Sequence, residues 1–389
     1  MTEPVSGTAG PTGPRDLVVG LLGAGAMARA HLPAWLALGA RVTMLSASGR
    51  AAELAGPYRD RGVTVARDLG ELLGGCDIVD ICTPTPSHRE LALAAIAAGR
   101  PVVCEKPLAL TTEDAALVAR TAEAAGVPLF PAHVVRYFPA YAAAAGAVAA
   151  GRIGTPSALR FTRAGAYPVW APWFADPALS GGILVDQMIH DMDFARLLAG
   201  EVVRVHARVR VGRFTDGDGP DRPGHPTASG TALLTHASGA VSRLLGVWGR
   251  PGLPFRTTFR VSGPDGVLEH DSTAGAAEAA NTVGRTGSAP GGVTAAGAAG
   301  APAGDRDVEA PAGGSDVEAP AGGSDVEAPG GALPESPYLT QLREFAAAVA
   351  GGPPPGVSAW DGVAAVRIAT AAAESARTGK PVELSGPLG

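Results

Sequence analysis

Short, continuous apolar runs alternate with alanine-rich helical stretches over the first third of the chain. The apolar runs predict buried strands and occupy residues 17–22, 42–45, 63–65, 78–81, 102–104 and 127–130. Helical periodicity separates them, most clearly at residues 90–98 and 112–125. Buried strands that alternate with helices are typical of a parallel, doubly wound sheet, which binds ligands at the carboxyl ends of its strands. We therefore expect an α/β domain over residues 16–138.

The pattern changes after about residue 139, where strands follow one another with few helices between them. Several of these strands alternate apolar and polar side chains, and they are predicted at 157–163, 202–211, 229–235, 241–247, 257–261 and 266–269. Helical periodicity returns at 338–349 and 361–375. This pattern predicts a second domain, formed by residues 139–272 and 335–389, around a mostly antiparallel sheet.

Two segments lack any such periodicity. Residues 273–334 are rich in Gly, Ala, Pro and Ser, and they contain the nine-residue repeat DVEAPAGGS from Asp307, again from Asp316, and a shortened copy from Asp325. One valine per copy cannot offset the entropy of ordering the chain. We therefore expect a disordered acidic insertion at 273–334, and a disordered N-terminus over residues 1–15.

Composition narrows the class of protein. A net charge of -6 argues against a strongly basic nucleic-acid binder. Three cysteines without CxxC spacing fit a reducing cytoplasm better than a disulfide framework. The first fifteen residues lack the pattern of a signal peptide, and no apolar run reaches membrane-spanning length. We expect a cytoplasmic protein with neither a nucleic acid nor a membrane as partner.

The first predicted strand runs directly into a glycine-rich turn. The turn consists of Gly23, Ala24, Gly25, Ala26, Met27 and Ala28, and a helical stretch follows it. This is the GxGxxA pattern of a dinucleotide site: Gly23 allows the tight turn, Gly25 admits the pyrophosphate, and Ala28 brings the helix close to the strand. The context of strand, turn and helix predicts a Rossmann domain that binds NAD or NADP.

The end of the second strand carries no acidic residue to bind the ribose. It carries Ser46 and, four residues later, Arg50. A small hydroxyl beside an arginine suits a 2′-phosphate, so the sequence favours NADP over NAD. Arg50 could equally be a solvent-facing residue at the start of the next helix.

Lysine is almost absent from this chain. Only Lys106 and Lys380 among its 31 basic residues are lysines. Lys106 follows Glu105 at the carboxyl end of the fifth predicted strand, where doubly wound sheets bind ligands. An ammonium group at that edge suits catalysis or a substrate contact better than the fixed charge of arginine. Glu105 and Lys106 are predicted to contact the cofactor as well, and the end of the fourth strand supplies further predicted cofactor contacts, namely Thr83, Pro84 and His88.

A predicted helix over residues 181–198 carries three polar side chains on one stripe. Asp186, His190 and Asp193 lie within about 60° of each other around an ideal helix whose other positions are mostly apolar. Asp186 could instead be a dipole partner of the first turn, and His190 a satisfied core histidine. A metal site is disfavoured because Lys106 would compete with a cation, so we expect none.

Five motifs together resemble the Gfo/Idh/MocA oxidoreductases, the family of glucose–fructose oxidoreductase and inositol dehydrogenase. They are GAGAMA at 23–28, CEKPL at 104–108, RYFPAY at 136–141, GGILVDQMIHDMD at 181–193 and SAWDGVAAV at 358–366. The resemblance covers most of the chain outside the insertion. It implies a Rossmann domain followed by an α/β domain with a large open sheet. It also implies Lys106, Asp186 and His190 as catalytic residues and Asp193 as a substrate ligand.

The function to expect is reversible hydride transfer between a nicotinamide cofactor and a secondary alcohol of a sugar, inositol or related polyol. His190 would act as the base, Asp186 would stabilise its charged form, and Arg136 and Tyr137 would join Asp193 in binding the substrate. Two alternatives stay open: a redox-neutral sugar transformation with tightly held NAD(P), and a non-catalytic nucleotide-binding regulator. An open sheet face also suggests a homo-oligomer.

Overall fold

The computed structural model describes residues 17–169, 171–215, 224–274, 335–384 and 386. The predicted disordered N-terminus lies outside these residues, and so does the acidic insertion except for its first two positions. Within the described ranges, no helix combines the length and the apolar character needed to cross a membrane.

The first domain is the doubly wound sheet that the apolar runs predict. Its strands pair in parallel in the order β3-β2-β1-β4-β5-β6. The strands are β1 (Val18–Leu22), β2 (Arg41–Leu45), β3 (Thr64–Val65), β4 (Ile78–Ile81), β5 (Val102–Glu105) and β6 (Leu129–Ala132). The helices between them are α1 (Ala26–Ala37), α2 (Ala51–Ala55), α3 (Leu69–Gly75), α4 (His88–Ala97) and α5 (Thr112–Ala125).

The strand register gathers the predicted ligand-binding segments at one edge of this sheet. Leu22, the last residue of β1, pairs with Leu45 at the end of β2 and with Ile81 at the end of β4. The glycine-rich turn therefore starts at the same level as the segments that follow β2 and β4. The last residue of β5, Glu105, pairs with Ala132 of β6, which brings Lys106 to this edge as well.

The second domain is built on a seven-stranded sheet in the order β12-β11-β7-β10-β9-β8-β13. Its strands are β7 (Ala158–Ala166), β8 (Val202–Phe214), β9 (His225–His236), β10 (Val241–Gly249), β11 (Arg256–Gly263), β12 (Gly266–Asp271) and β13 (Val382–Glu383). Only β7 and β10 pair in parallel, so the prediction of a mostly antiparallel sheet is confirmed. The helices of this part are α6 (Pro139–Ala149), α7 (Pro177–Ser180), α8 (Gly182–Asp186), α9 (Ile189–Ala199), α10 (Pro337–Val349) and α11 (Ala359–Thr378).

Helices cover one face of the second sheet and leave the other open. Met188 packs tightly against the strands because β9 and β10 present glycines there: a Cβ added at Gly230 or Gly246 would lie within 3 Å of its side chain. On the opposite face, Leu233 and Val241 remain exposed. The large open sheet implied by the family resemblance is therefore present.

Helix α10, which the sequence pattern assigned to the second domain together with the rest of residues 335–389, packs against the core of the first domain. Its Phe345 stacks on Phe130 of β6, with ring centroids 4.9 Å apart, and Leu342 is buried in the same core as the strands of the first sheet. The amphipathic pattern identified the helix correctly, but it carries no information about which apolar surface the helix covers.

The prediction of a single helix over residues 181–198 is wrong. It consists of α8 and α9, with a break at Gln187 and Met188. The carbonyl oxygen of Asp186 accepts a hydrogen bond from Lys106 Nζ at 2.8 Å. The backbone N–H groups of Gln187 and Met188 both donate to Ile183. A tertiary contact thus interrupts the regular ladder of helical hydrogen bonds.

Candidate active site

The glycine-rich turn has the backbone that a close approach to a ligand requires. Gly23 has φ of +114°, a region that other residues rarely adopt. A Cβ at this position would also lie 2.5 Å from the carbonyl oxygen of Cys82, the residue after β4. Glycine is needed here for its conformation and for the tight contact between two strand ends.

The start of α1 offers free backbone donors to a phosphate group. Gly25 is the N-cap and contributes no side-chain cap, and no acidic residue stands in the first turn. A Cβ added at Gly25 would meet no atom within 4 Å, so space is open beside it. Ala28 is fully buried against the sheet. Unpaired N–H groups, the helix dipole and this space fit the pyrophosphate of a dinucleotide.

The segment after β2 places the predicted ribose residues together. Ser46 Oγ lies 2.8 Å from Ser48 Oγ, and Arg50 Nε donates to Ser48 Oγ at 3.3 Å. Two hydroxyls and one guanidinium therefore stand at the edge where the ribose of a bound dinucleotide would lie, and Ser48 and Arg50 are exposed.

The segment after β4 is fixed by His88, which sequence reasoning assigned to the cofactor. Its two ring nitrogens lie 2.7 Å from the Pro107 carbonyl oxygen and 2.8 Å from the Thr83 carbonyl oxygen. The ring is buried, and burial lowers its pKa. Neither nitrogen is left for a cofactor, so His88 instead joins the ends of β4 and β5. Thr83 is half-buried and Pro84 exposed at this edge.

Lys106 reaches from the end of β5 to the break between α8 and α9. Its Nζ lies 2.8 Å from the carbonyl oxygen of Asp186 and 3.4 Å from the carboxylate Oδ1 of the same residue. Burial raises the pKa of Asp186, and the ammonium of Lys106 acts in the opposite direction. The structure brings these two predicted catalytic residues into direct contact.

His190 lies one turn further on, at the start of α9. Its ring is partly exposed, while Nδ1 is buried and has no hydrogen-bond partner among the described residues. Burial lowers the pKa of His190 well below its ordinary value, and the charges of Lys106 and Arg163 lower it further. Asp186 bonds to Lys106, so the expected stabilisation of a charged His190 by Asp186 is not what the structure shows. A neutral imidazole is ready to accept a proton.

Asp193 and Arg136 were both predicted to bind the substrate, and the structure pairs them with each other. Arg136 donates to both carboxylate oxygens of Asp193, at 2.8 and 2.5 Å, and also to the carbonyl oxygen of Gly356. Their side chains are 5% and 1% exposed. The Tyr137 hydroxyl donates to Glu344 of α10. These groups are occupied by protein partners, which favours a positioning role.

Two buried clusters of ionisable side chains contain residues that the sequence did not single out. Arg163 of β7 pairs with Asp191, next to His190. Glu105, predicted as a cofactor contact, points into the first domain, where its Oε1 lies 3.2 Å from His31 Nε2. His31 in turn lies 2.8 Å from Asp80. Asp80 interrupts an otherwise apolar strand, and a buried acid in such a run is a signal that a partner must exist.

Asp186, His190 and Asp193 do not form a metal-ligand cluster. Within the part of the chain that the structure describes, the only group of such side chains close enough to share an ion is His31, Asp80 and Cys82.

Comparison with known proteins gives matches over most of the chain. Residues 17–133 match the model of the NAD-binding Rossmann fold of the Gfo/Idh/MocA oxidoreductase family. Residues 141–269 match the Gfo/Idh/MocA C-terminal domain, and residues 335–384 match the C-terminal alpha/beta domain of the oxidoreductase family.

Individual relatives are similar over shorter stretches. A D-apiose dehydrogenase of Paraburkholderia graminis is 35% identical over 235 residues, which cover 57% of this chain and 58% of that protein. A myo-inositol dehydrogenase of Streptomyces leeuwenhoekii is 36% identical over 194 residues, or 49% of this chain and 57% of that one. The alignments thus span little more than half the length of these relatives. The crystal structure of GenD2 from gentamicin A biosynthesis in complex with NAD has a TM-score of 0.72 at 25% identity, covering 99% of this chain and 100% of that one.

Proposed function

This chain belongs to the Gfo/Idh/MocA family of oxidoreductases, and from that premise we propose that it transfers hydride between a nicotinamide cofactor and a secondary alcohol of a sugar, inositol or related polyol. The observation that carries the proposal is the position of Lys106. Its ammonium stands at the strand edge that also holds the glycine-rich turn, and it meets Asp186 just before the helix of His190.

The reaction divides its tasks among these side chains. A bound nicotinamide supplies the hydride acceptor at its C4 atom. His190, kept neutral by burial and by neighbouring positive charge, takes the proton of the substrate hydroxyl. Lys106 donates a hydrogen bond to the substrate oxygen as negative charge develops there. Asp186 holds the Lys106 ammonium in place.

Arg136 and Asp193 act behind this group rather than on the substrate directly. Their bidentate pair joins the turn after β6 to α9, the helix that carries His190. Arg136 also donates to Gly356, and Tyr137 to Glu344. We infer that these contacts fix the wall of the substrate site.

Aromatic side chains before α8 supply a second wall. Trp173 and Phe174 stack with ring centroids 4.0 Å apart, and Tyr167 packs edge-on against Trp248. Flat apolar rings suit the carbon face of a sugar or inositol ring. Trp170, which belongs to the same aromatic segment of the sequence, lies outside the described residues.

For the cofactor we propose a preference for NADP. Ser46, Ser48 and Arg50 support it, because two hydroxyls and a guanidinium can hold a 2′-phosphate. An Arg50→Ala variant should then lose about tenfold in kcat/KM with NADP and keep its value with NAD. The GenD2 structure, in contrast, is a complex with NAD. A wild-type kcat/KM much higher with NAD would overturn the preference.

We further infer that copies of the chain associate through the open face of the second sheet, where Leu233 and Val241 are exposed. Light scattering of the purified protein tests this, and a monomer would contradict it. The free, buried cysteines Cys76, Cys82 and Cys104 fit a reducing cytoplasm.

A panel of polyols and sugars assayed with NAD and with NADP tests the proposed reaction. Turnover should appear as a change in the absorbance of the reduced nicotinamide. If no compound of a broad panel is turned over while cofactor binding is intact, the result would instead support a non-catalytic nucleotide-binding regulator. Turnover of a sugar without net cofactor change would support a redox-neutral enzyme.

A further inference from the structure

A cluster of ionisable side chains lies buried beneath the glycine-rich turn, away from the proposed substrate. It consists of His31 on α1, Asp80 on β4 and Glu105 at the end of β5, and we call it the His31 cluster. These residues are 0%, 0% and 3% exposed. Taking charges out of water costs several kcal/mol per ion, so the arrangement needs compensating contacts and invites a functional explanation.

The imidazole of His31 has a carboxylate on each side, Asp80 at Nδ1 and Glu105 at Nε2. His31 Nδ1 lies 2.8 Å from Asp80 Oδ2, and the same oxygen accepts a hydrogen bond from Trp35 Nε1 at 2.7 Å. On the far side, His31 Nε2 lies 3.2 Å from Glu105 Oε1. The two atoms are close enough for an ion pair but are not aligned for a hydrogen bond.

Glu105 connects the cluster to Lys106. Its second carboxylate oxygen, Oε2, accepts a hydrogen bond from the backbone N–H of Lys106 at 3.1 Å. Glu105 reaches back to His31 on α1, while Lys106, the residue after β5, reaches forward to Asp186. A shift of Glu105 therefore displaces the amide from which the lysine side chain extends.

A buried metal is the competing explanation. His31, Asp80 and Cys82 bring ligand atoms within 4.8 Å of one another. However, the distances from Asp80 Oδ2 to His31 Nδ1 and Trp35 Nε1 are those of hydrogen bonds, and a metal ion bound through Nδ1 would remove the hydrogen bond between His31 and Asp80. The contacts of Asp80 Oδ2 are therefore accounted for by hydrogen bonds.

We propose that His31 is a positioning residue for Lys106. From α1, His31 holds the carboxylate of Glu105, the last residue of β5. Glu105 in turn fixes the backbone from which Lys106 reaches the substrate oxygen. The catalytic part of this inference rests on the proposed function, while the positional part does not.

The charges around His31 support this arrangement. Asp80 faces it from β4, Cys82 from the position after β4, and Glu105 from β5, while Tyr338 packs against its ring from α10. Burial alone would lower the pKa of His31, but Asp80 and Cys82 raise it well above its ordinary value. An imidazolium between two carboxylates is the form that can bind both.

Two variants separate the two contacts of His31. In His31→Asn the amide nitrogen takes the place of Nδ1, so the bond to Asp80 is retained and the contact with Glu105 is lost. In His31→Gln the amide nitrogen takes the place of Nε2 and can donate a hydrogen bond to Glu105 Oε1 in place of the ion pair, while the bond to Asp80 is lost. Both variants remove the imidazolium charge, and they differ in the position of the donor and by one methylene in side-chain length.

Two readouts are needed, and one of them is independent of turnover. Because the chain has only two lysines, mass spectrometry can follow acetylation of Lys106 with Lys380 as an internal reference. Lys106 should be slow in wild type, since its side chain is 13% exposed and paired with Asp186. The second readout is kcat against KM on a substrate from the panel, with the melting temperature measured in parallel.

We expect His31→Asn to raise the ratio of Lys106 to Lys380 acetylation and to lower kcat by about 10²-fold, the effect of a misplacement near 1 Å, with KM unchanged. His31→Gln should keep the acetylation ratio and kcat near wild type even where its melting temperature falls. Three results would each overturn the proposal. The first is an unchanged acetylation ratio in His31→Asn, and the second is an equal loss of kcat in both variants that follows their melting temperatures. The third is one bound metal ion per purified wild-type chain. Should no substrate be found, the proposed function fails, and the acetylation ratio still decides the positioning.

Discussion

Replacing Asp193 by asparagine removes one charge of the buried pair with Arg136 and keeps the size of the side chain. Both partners are almost fully buried, so water does not screen their interaction. Breaking such a pair by removing one charge costs about 3–5 kcal/mol. Arg136 keeps its bond to Gly356 at 2.8 Å and lies 3.6 Å from Asp361, so we expect a loss of unfolding free energy near the lower end, about 3 kcal/mol.

Thermal and urea unfolding measure this loss. For a domain of this size, about 3 kcal/mol lowers the melting temperature by roughly 6–12 °C. The control is Glu383→Gln, which breaks an ion pair with Arg204 whose side chains are 54% and 62% exposed, and it should change stability by less than about 1 kcal/mol. If Asp193 binds substrate instead, Asp193→Asn will leave the melting temperature unchanged and raise only the KM for the sugar. That result would refute the positioning role.

Three further outcomes concern Gly23, His190 and His31. Gly23→Ala puts a side chain at φ of +114° and a Cβ 2.5 Å from a carbonyl oxygen. The resulting strain of about 1–3 kcal/mol should lower the melting temperature and weaken dinucleotide binding measured by calorimetry. Unchanged binding would contradict this. Burial and the charge of Lys106 lower the pKa of His190, so Lys106→Ala should raise the pKa seen in an NMR titration of its ring, and a fall would be inconsistent. Burial lowers the pKa of His31, but Asp80 raises it, so the pKa in the folded protein lies above the unfolded value. The contribution of His31 to the free energy of unfolding is therefore complete below about pH 6.5 and is lost as the pH rises through the folded pKa. The stability advantage of wild type over His31→Asn in urea should therefore shrink with rising pH; a growing advantage would show the opposite sign.

The first domain could be predicted from sequence because each of its signals is local. Continuous apolar runs mark its strands, and β4 and α5 have the predicted bounds. The glycine turn lies where the pattern indicates, since a strand followed directly by GxGxxA leaves little conformational choice.

The site was harder to predict because its contacts are distant in sequence. Nothing near Asp186 indicates that its carbonyl oxygen bonds to Lys106, yet this contact lies at the break in the predicted helix and engages Asp186 with the lysine. The same holds for Asp193, whose partner Arg136 is 57 residues away. Motif spacing can name candidate residues, but it cannot determine which of them satisfy one another's hydrogen bonds and charges.

The proposal rests on Lys106, and the scarcity of lysine supplies a matched control. Lys106→Ala and Lys380→Ala each remove one of the two ammonium groups, and Lys380 is exposed beyond α11. The most direct measurement is kcat for oxidation of a polyol from the panel, together with the dissociation constant of the dinucleotide. Lys106→Ala should lose about 10²–10³-fold in kcat with dinucleotide binding retained, while Lys380→Ala should match wild type. Near-full turnover by Lys106→Ala with normal cofactor binding would contradict the assignment.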